Sequence, residues 1–591
     1  MKARRSRRDK VFLAMKLGLL GFITSFWGFT FLDLGVMFDN AQQSLWVHAP
    51  TVVVAGEPFN TTVEAWDRYE RVAGAYTGKV TFGLESYAAG TNATSLPGAT
   101  LTITGNGTRF TSNFNGAGIV PAYTVPGADN GRKTYRASID TAGIHYIVAT
   151  DQDARETFRS NPIIVVPVAG TVDRVYWGDL HFHSALSDGA GTEDEVYTYA
   201  RDVALLDFAA LTDHAELFPR FGEADMGDTF KNYLATTNRF NAAGQFATVI
   251  ALEWTPMLAS ARDYLCTSHV NLYIEGDRIP YISTFDQHDP DAAYEAIRAA
   301  TSDRFLAWTH HVTRDEYPSD FGFYNESINT MVEIYSCHGS GEFQDSSNLY
   351  PMVHGLDATH HGYSVNDALR MGRKMGLMAS TDGHDGHPGH TFLHNDARAI
   401  NQHPFTLSAY RYGIVQPGGL TGLLAPSLSR GTVFNALTTR AAYGTTWINR
   451  HYLNFSINGV RVGTADSTAT VATPITPRAV NVVVAVDGVS LHPGRVKTIS
   501  NLTIFKNSRP WRSIAPGAIM VNWTAVDDAA ITGTSYDQCV QKADGKWYVN
   551  ERSLAPVDPA TLNTGGADYY YARVVDSDGG AAWIGPIWVT T

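Results

Sequence analysis

Fifteen of the 20 histidines fall between His181 and His394, and many directly follow a short apolar run. Carboxylates are placed the same way: Asp188, Asp213, Glu253, Asp382 and Asp385. Imidazoles and carboxylates gathered at strand ends are the donors that divalent transition metals take from proteins. In Asp179-Leu180-His181-Phe182-His183 the two histidines stand at i and i+2, so on a strand they share one face and make a half-site for an ion. Glu253 ends the run Val249-Ile250-Ala251-Leu252, where an unpaired carboxylate would be costly and a position between two ions would remove that cost. Asp213-His214 ends another run, as a ligand with its supporting partner or as a satisfied turn. His269 opens a strand, His310-His311 follows FLAWT, and Asp382-Gly383-His384 follows LMAST. Each has an ordinary structural reading alone. Taken in order on successive strand ends, they read as a metal centre.

The elements that must position these residues alternate between apolar strands and amphipathic helices. VYWGDLHFHS reads as a strand and TEDEVYTYARDVALL as a helix, with Thr192 as N-cap and Glu195 completing a capping box. DFAALTDHAE, FATVIALEW, HVNLYI, FLAWTHH, TMVEIYS and GLMASTD are further strands; helical patterns lie around Phe230 to Ala243, in DAAYEAIRAAT and in NDALRMGRKMG. Repeated strand–helix units predict a parallel sheet, with a barrel favoured, since its active site lies at the carboxyl ends of the strands. A doubly wound open sheet is the alternative, but no Gly-x-Gly-x-x-Gly loop follows the first strand. On either side the pattern changes to short alternating segments separated by Gly, Asn and Pro, the spacing of an all-β fold. The chain therefore divides into a leader (1–40), an N-terminal β-sandwich-like region (41–168), an α/β region (169–450) and a C-terminal β-rich region (451–591) that reads as a packing module.

Composition narrows the partners. With 591 residues, 44% of them apolar and 17% charged, the chain can bury a large core. After six basic residues among the first ten, the remainder carries 39 basic and 57 acidic residues, which argues against nucleic acid as the main partner. Three cysteines do not make a disulfide framework. The basic start followed by an apolar run from Val11 to Phe38 predicts export, through a cleaved signal peptide or an uncleaved anchor that meets the membrane. The protein is thus expected outside the cytoplasm. Seven Asn-x-Ser/Thr sequons are compatible with that and decide nothing.

GDLHFHSALSDG, LTDHAE, ALEWT, HVNLY, the doubled histidine, VEIYSCHGSGE and ASTDGHDGHPG occur in one order. Together they resemble the polymerase-and-histidinol-phosphatase (PHP) superfamily, and within it the large DUF3604-type branch, over roughly residues 173–450. The resemblance implies a distorted (β/α)7 TIM-like barrel holding two or three divalent ions, commonly Zn, Mn or Fe. It implies His181, His183 and Asp382 at a first metal, Glu253 bridging to a second held by His269 and one of His310 and His311 (His310 favoured), and Asp188, His214 and His384 at a third. Ions so bridged would bring a shared water toward ionisation at neutral pH and supply hydroxide as nucleophile. Arg314 is a candidate anion clamp and His338 a candidate proton donor to the leaving group. His338, Glu342, His387 and His390 lie in matching loops without an implied ligand role. Cys337 reads as a small buried hydrophobe rather than a soft ligand.

Three function classes follow. The favoured one is a metal-dependent phosphoesterase acting on a small-molecule mono- or diester. The second is a metal-dependent hydrolase of carboxylic or carbamate esters, because Lys and Arg are sparse in the motif loops. The third is a non-catalytic metal-binding surface protein, suggested by the two β-rich regions.

Overall fold

A computed structural model describes residues 16, 41–67, 70, 72–113, 127–170, 173–216, 227–256, 269–284, 286–345, 347–390, 416–471, 477–490 and 495–591. The leader's apolar run to Phe38 lies outside these residues. Among the described residues no helix is long and apolar enough to cross a membrane.

The molecule is α/β and rich in sheet. In the N-terminal region, one sheet orders the strands Ser44–His48, Phe59–Trp66, Arg132–Ile139 and Leu101–Ile103; a second orders Val52–Val54, Ile163–Val166, Gly143–Asp151 and Val80–Tyr87. Leu45, Val63 and Ile139 of the first share an apolar cluster with Val53, Ile147 and Val165 of the second, the alternation expected of two sheets packed face to face.

The α/β region departs from the expected parallel barrel. Strands Arg174–Asp179, Phe208–Ala209 and Ala247–Thr248 are parallel, as are Met331–Ser336 and Gly376–Ala379. Strands Ile250–Trp254, Val270–Ile274 and Phe305–Thr309 pair antiparallel instead. The register gives the reason: Trp254 pairs with Val270 and Ile274 with Phe305, so the chain re-enters the sheet at the end it left. Among the described residues these strands form open sheets rather than one closed barrel. Antiparallel pairing has a useful effect, since it puts the beginning of Val270–Ile274, and His269 just before it, beside the ends of both neighbours.

Among the described residues helices are few, and most start on a side-chain cap. Glu193–Asp202 starts on Thr192, whose side chain accepts from Glu195 N while the Glu195 carboxylate accepts from Thr192 N. Pro290–Ala300 is capped by Asp289, and Gly227–Phe240 and Arg430–Thr438 complete the longer helices. Leu180, Ala251, Tyr273, Trp308, Met331 and Met378, from the strands that carry the histidines and acids or their immediate ends, belong to one apolar cluster. Ala251 stands two residues before Glu253, and Trp308 two before His310, so packing on those strand faces aims the polar residue beyond.

A long sheet joins the α/β region to the C-terminal strands. From Arg174–Asp179 it passes through Gly419–Ala425 and Ala442–Thr446 to Ala581–Thr590, then to Asp568–Asp576, Ile499–Lys506 and Arg509–Ile514. Tyr443 pairs with Ile584 and Thr445 with Ala582, so hydrogen bonding runs uninterrupted across residue 450.

Candidate metal centre

Isolated parallel bridges set the strand ends side by side. Phe182 pairs with Gly383 and His214 with Glu253. Asp382 N donates to His181 O and His183 N to Gly383 O, which locks the His-x-His segment against Asp-Gly-His.

Glu253, 1% exposed, organises the site because its two oxygens face different partners. Oε2 lies 3.0 Å from His181 Nε2 and 3.3 Å from His183 Nε2. Oε1 lies 3.4 Å from His214 Nδ1 and 3.3 Å from His310 Nε2, and it contacts His269 Nδ1. Asp382 Oδ1 completes the first side, 3.3 Å from His181 Nε2 and 3.4 Å from His183 Nε2. Asp188 Oδ1 gathers a third group: His384 Nε2 at 3.3 Å, His214 Nε2 at 3.7 Å and His183 Nδ1 at 4.0 Å. His181, His183, Glu253, His310 and Asp382 are buried, whereas the side chains of Asp188, His384, His269 and His214 are 26%, 13%, 12% and 10% exposed, so the centre reaches solvent along that rim.

These residues fit a metal. Both ring nitrogens of His183 and of His310, together with Glu253 Oε1, are buried without a hydrogen-bond partner. Ions placed between them would satisfy polar atoms that lie so close together without hydrogen bonds to one another. Ligand atoms ~2.0 Å from a tetrahedral ion stand about 3.3 Å apart, the spacing repeated around Glu253 and Asp382. Within each of the groups His181–His183–Asp382, His181–Glu253–His310, His214–Glu253–His269 and His183–Asp188–His214–His384, the ligand atoms lie within 4.8 Å of one another.

Electrostatics agrees with a cation site. Burial opposes ionisation of Glu253, but the neighbouring imidazoles, His214 foremost, outweigh it and hold the carboxyl well below its usual range. Asp382 is held down against burial by His181 and His338. Burial and then His181 push His310 down to about 3, and burial with His310 pushes His311 down. Both are neutral at pH 7, the form that ligates.

The residues around these groups divide by role. Glu333, within the fully buried strand Met331–Ser336, accepts from His181 Nδ1 at 2.9 Å and leaves Nε2 to face Glu253 and Asp382. The motif pattern does not single it out, although a charge inside a buried strand is the available signal. Glu333→Leu is expected to weaken metal binding by about 10–100-fold, while Glu333→Gln, still an acceptor, keeps most of it; titration against a chelator of known affinity measures both. Asp179 accepts from Thr381 Oγ1 and from the backbone N–H groups of His181, Thr381 and Gly389, and burial pushes its carboxyl up to about 6. Asp213 turns toward Ser184 and Ser187, and so fixes the loop that carries Asp188.

His338 Nε2 lies 3.1 Å from Asp382 Oδ2, and Arg314 donates through one guanidinium nitrogen to His338 Nδ1 at 3.0 Å and through Nε to Glu316 at 3.0 Å. Arg314 is thus directed at a histidine and a carboxylate. Cys337 Sγ donates to Asp382 O at 3.2 Å, and burial followed by Asp382 pushes the thiol up, so it stays a neutral donor. Glu342 accepts from Tyr571, Arg573 and Trp583 of the C-terminal strands. His387 packs on Tyr199 beside Asp385, and His390 contacts Glu70 at 2.7 Å while stacking on Trp66.

No family model matches the chain. It is similar to uncharacterised proteins of Chlamydia trachomatis and Chlamydia muridarum, each 23% identical over 76% of this chain and 62% of the relative. The chain therefore spans less than two thirds of those relatives. Among solved structures it is similar to a two-domain protein from Bacteroides vulgatus described as containing a predicted PHP-like metal-dependent phosphoesterase, with 12% identity, 62% of this chain and 91% of that chain covered, and a TM-score of 0.30.

Proposed function

We propose that this protein is an exported metal-dependent hydrolase of small-molecule esters, with phosphate esters as the favoured substrate. The observation that carries the reading is the division of the Glu253 carboxylate, one oxygen toward His181 and His183 and the other toward His214, His269 and His310. Divalent ions bound there supply Lewis acidity and an activated water. The chain's own residues do the rest. Glu253 holds two donor groups at a fixed separation, Glu333 fixes the His181 tautomer, and Cys337 and His338 orient Asp382. Substrate reaches the centre over its partly exposed rim, where Asp188 is the most open of the grouped donors. Phosphate esters suit several clustered cations because negative charge in their transition state spreads over several oxygens.

A second reading, hydrolysis of carboxylic or carbamate esters, draws on Arg314: its engagement with His338 and Glu316 leaves it poorly placed to clamp a phosphate. Metal analysis with turnover of p-nitrophenyl phosphate, bis(p-nitrophenyl) phosphate and p-nitrophenyl acetate separates the readings. Phosphate turnover supports the first and acetate alone the second; bound metal with no turnover of any favours a metal-binding surface protein. Export rests on the basic leader and the apolar run after it. Reporter fusions after residue 45 are expected to be active only outside the cytoplasm, and cytoplasmic activity would reverse this reading.

A further inference from the structure

We propose that His311 is a metal ligand, closing a histidine-only set with His269 and His310. This rests on reading the pocket as a metal centre and goes beyond it, because a single member of the doubled histidine suffices for the sets built on Glu253. Consecutive residues at a strand end normally point to opposite faces. His310 faces Glu253 and His181, so His311 in ordinary extended backbone would turn away from the site. Its φ is +34°, a left-handed conformation that a residue with a β-carbon rarely adopts. The effect is to swing the imidazole back. The ring lies 5.1 Å from that of His269 and 4.4 Å from that of His310, and it is 4% exposed.

A packing role does not explain this placement. His311 Nδ1 is buried without a hydrogen-bond partner, which an apolar side chain of similar size would avoid. Its nearest ring neighbours are imidazoles, His269, His310 and His338, the last at 5.4 Å between ring centroids, with Tyr317 farther off at 6.3 Å. Ligand atoms of His269, His310 and His311 all lie within 4.8 Å of one another, and His269 and His310 each also belong to a group with Glu253. A buried ring nitrogen without a hydrogen-bond partner, on a side chain set beside other imidazoles by an unfavourable backbone angle, has a cation as its natural partner. Such a nitrogen-rich set suits Zn, Fe or Co over Mg or Ca, which prefer oxygen.

Anomalous diffraction from zinc-loaded crystals of the full chain tests this directly. The expected result is a zinc peak about 2.0–2.1 Å from a His311 ring nitrogen. Zinc on Glu253, His269 and His310 with His311 beyond bonding distance would overturn the inference and leave the proposed function standing, whereas no zinc anywhere in the pocket would remove both. In solution, His311→Gln should lower the affinity for one zinc by about tenfold or more in competition with a chelator and alter the visible spectrum of the cobalt-loaded protein. Unchanged affinity and spectrum would count against His311. The crystal holds the unaltered protein, so the diffraction result decides the matter even where the variant fails to fold.

Discussion

Glu253→Gln should lower turnover by about a thousandfold or more, a loss of several kcal/mol of transition-state stabilisation at ~1.4 kcal/mol per decade. The amide keeps the size of the side chain but removes the charge that holds two donor groups to one residue. Its nitrogen cannot replace the oxygen that faces either His181 and His183 or His214, His269 and His310. The fold should survive, since the cluster of Leu180, Ala251, Tyr273, Trp308 and Met378 that supports the site is apolar. His387→Ala is the matched control. That ring packs on Tyr199 beside Asp385, outside the grouped donors, so its loss should change the rate by less than about tenfold. Near-normal turnover of Glu253→Gln with full metal content would show that Glu253 bridges nothing.

Exhaustive chelation should abolish turnover, and adding back a divalent transition metal should restore it. The metal-free protein has a distinctive protonation state. Against burial, Asp382 and Glu253 push His183 up to about 9, and Asp382, Glu333 and Glu253 push His181 up as well. Both are therefore protonated at pH 7 without metal and must lose those protons to ligate. Reloading should release protons, and metal affinity should fall as pH is lowered. Calorimetry in two buffers of different ionisation enthalpy measures the release. The same shift fixes the stability of the metal-free form: the contribution of His183 is fully present below about 6.5 and is lost as pH rises toward about 9. Activity that persists with no metal detectable would end the metal-hydrolase reading.

The sequence makes parts of this site visible and hides others for physical reasons. His181 and His183 are legible because period-two spacing puts i and i+2 on one face whatever the tertiary context. Glu253 stands out as a carboxylate at the end of an apolar strand. Asp213 and Asp382 occupy equivalent places in their runs, yet one serves Ser184 and Ser187 and the other His181 and His183. Local pattern cannot distinguish them; the neighbouring strand does. The antiparallel run through Val270–Ile274 is also hidden, because antiparallel and parallel strands share an apolar pattern when both faces are buried. The left-handed turn at His311 leaves no mark in composition, since no glycine stands there.

The long sheet also constrains how the protein can be made. Ala442–Thr446, next to the strands that carry the site, has Ala581–Thr590 as its second neighbour, a segment synthesised much later. Until it arrives, Ala442–Thr446 offers an open edge, the kind of surface on which nascent chains aggregate or pair wrongly. Glu342 likewise waits for Tyr571, Arg573 and Trp583. Folding of the metal-binding region therefore finishes after translation of the C-terminal strands rather than in step with its own emergence, and a ribosome stalled between the two would hold a site-bearing half that is unable to complete itself.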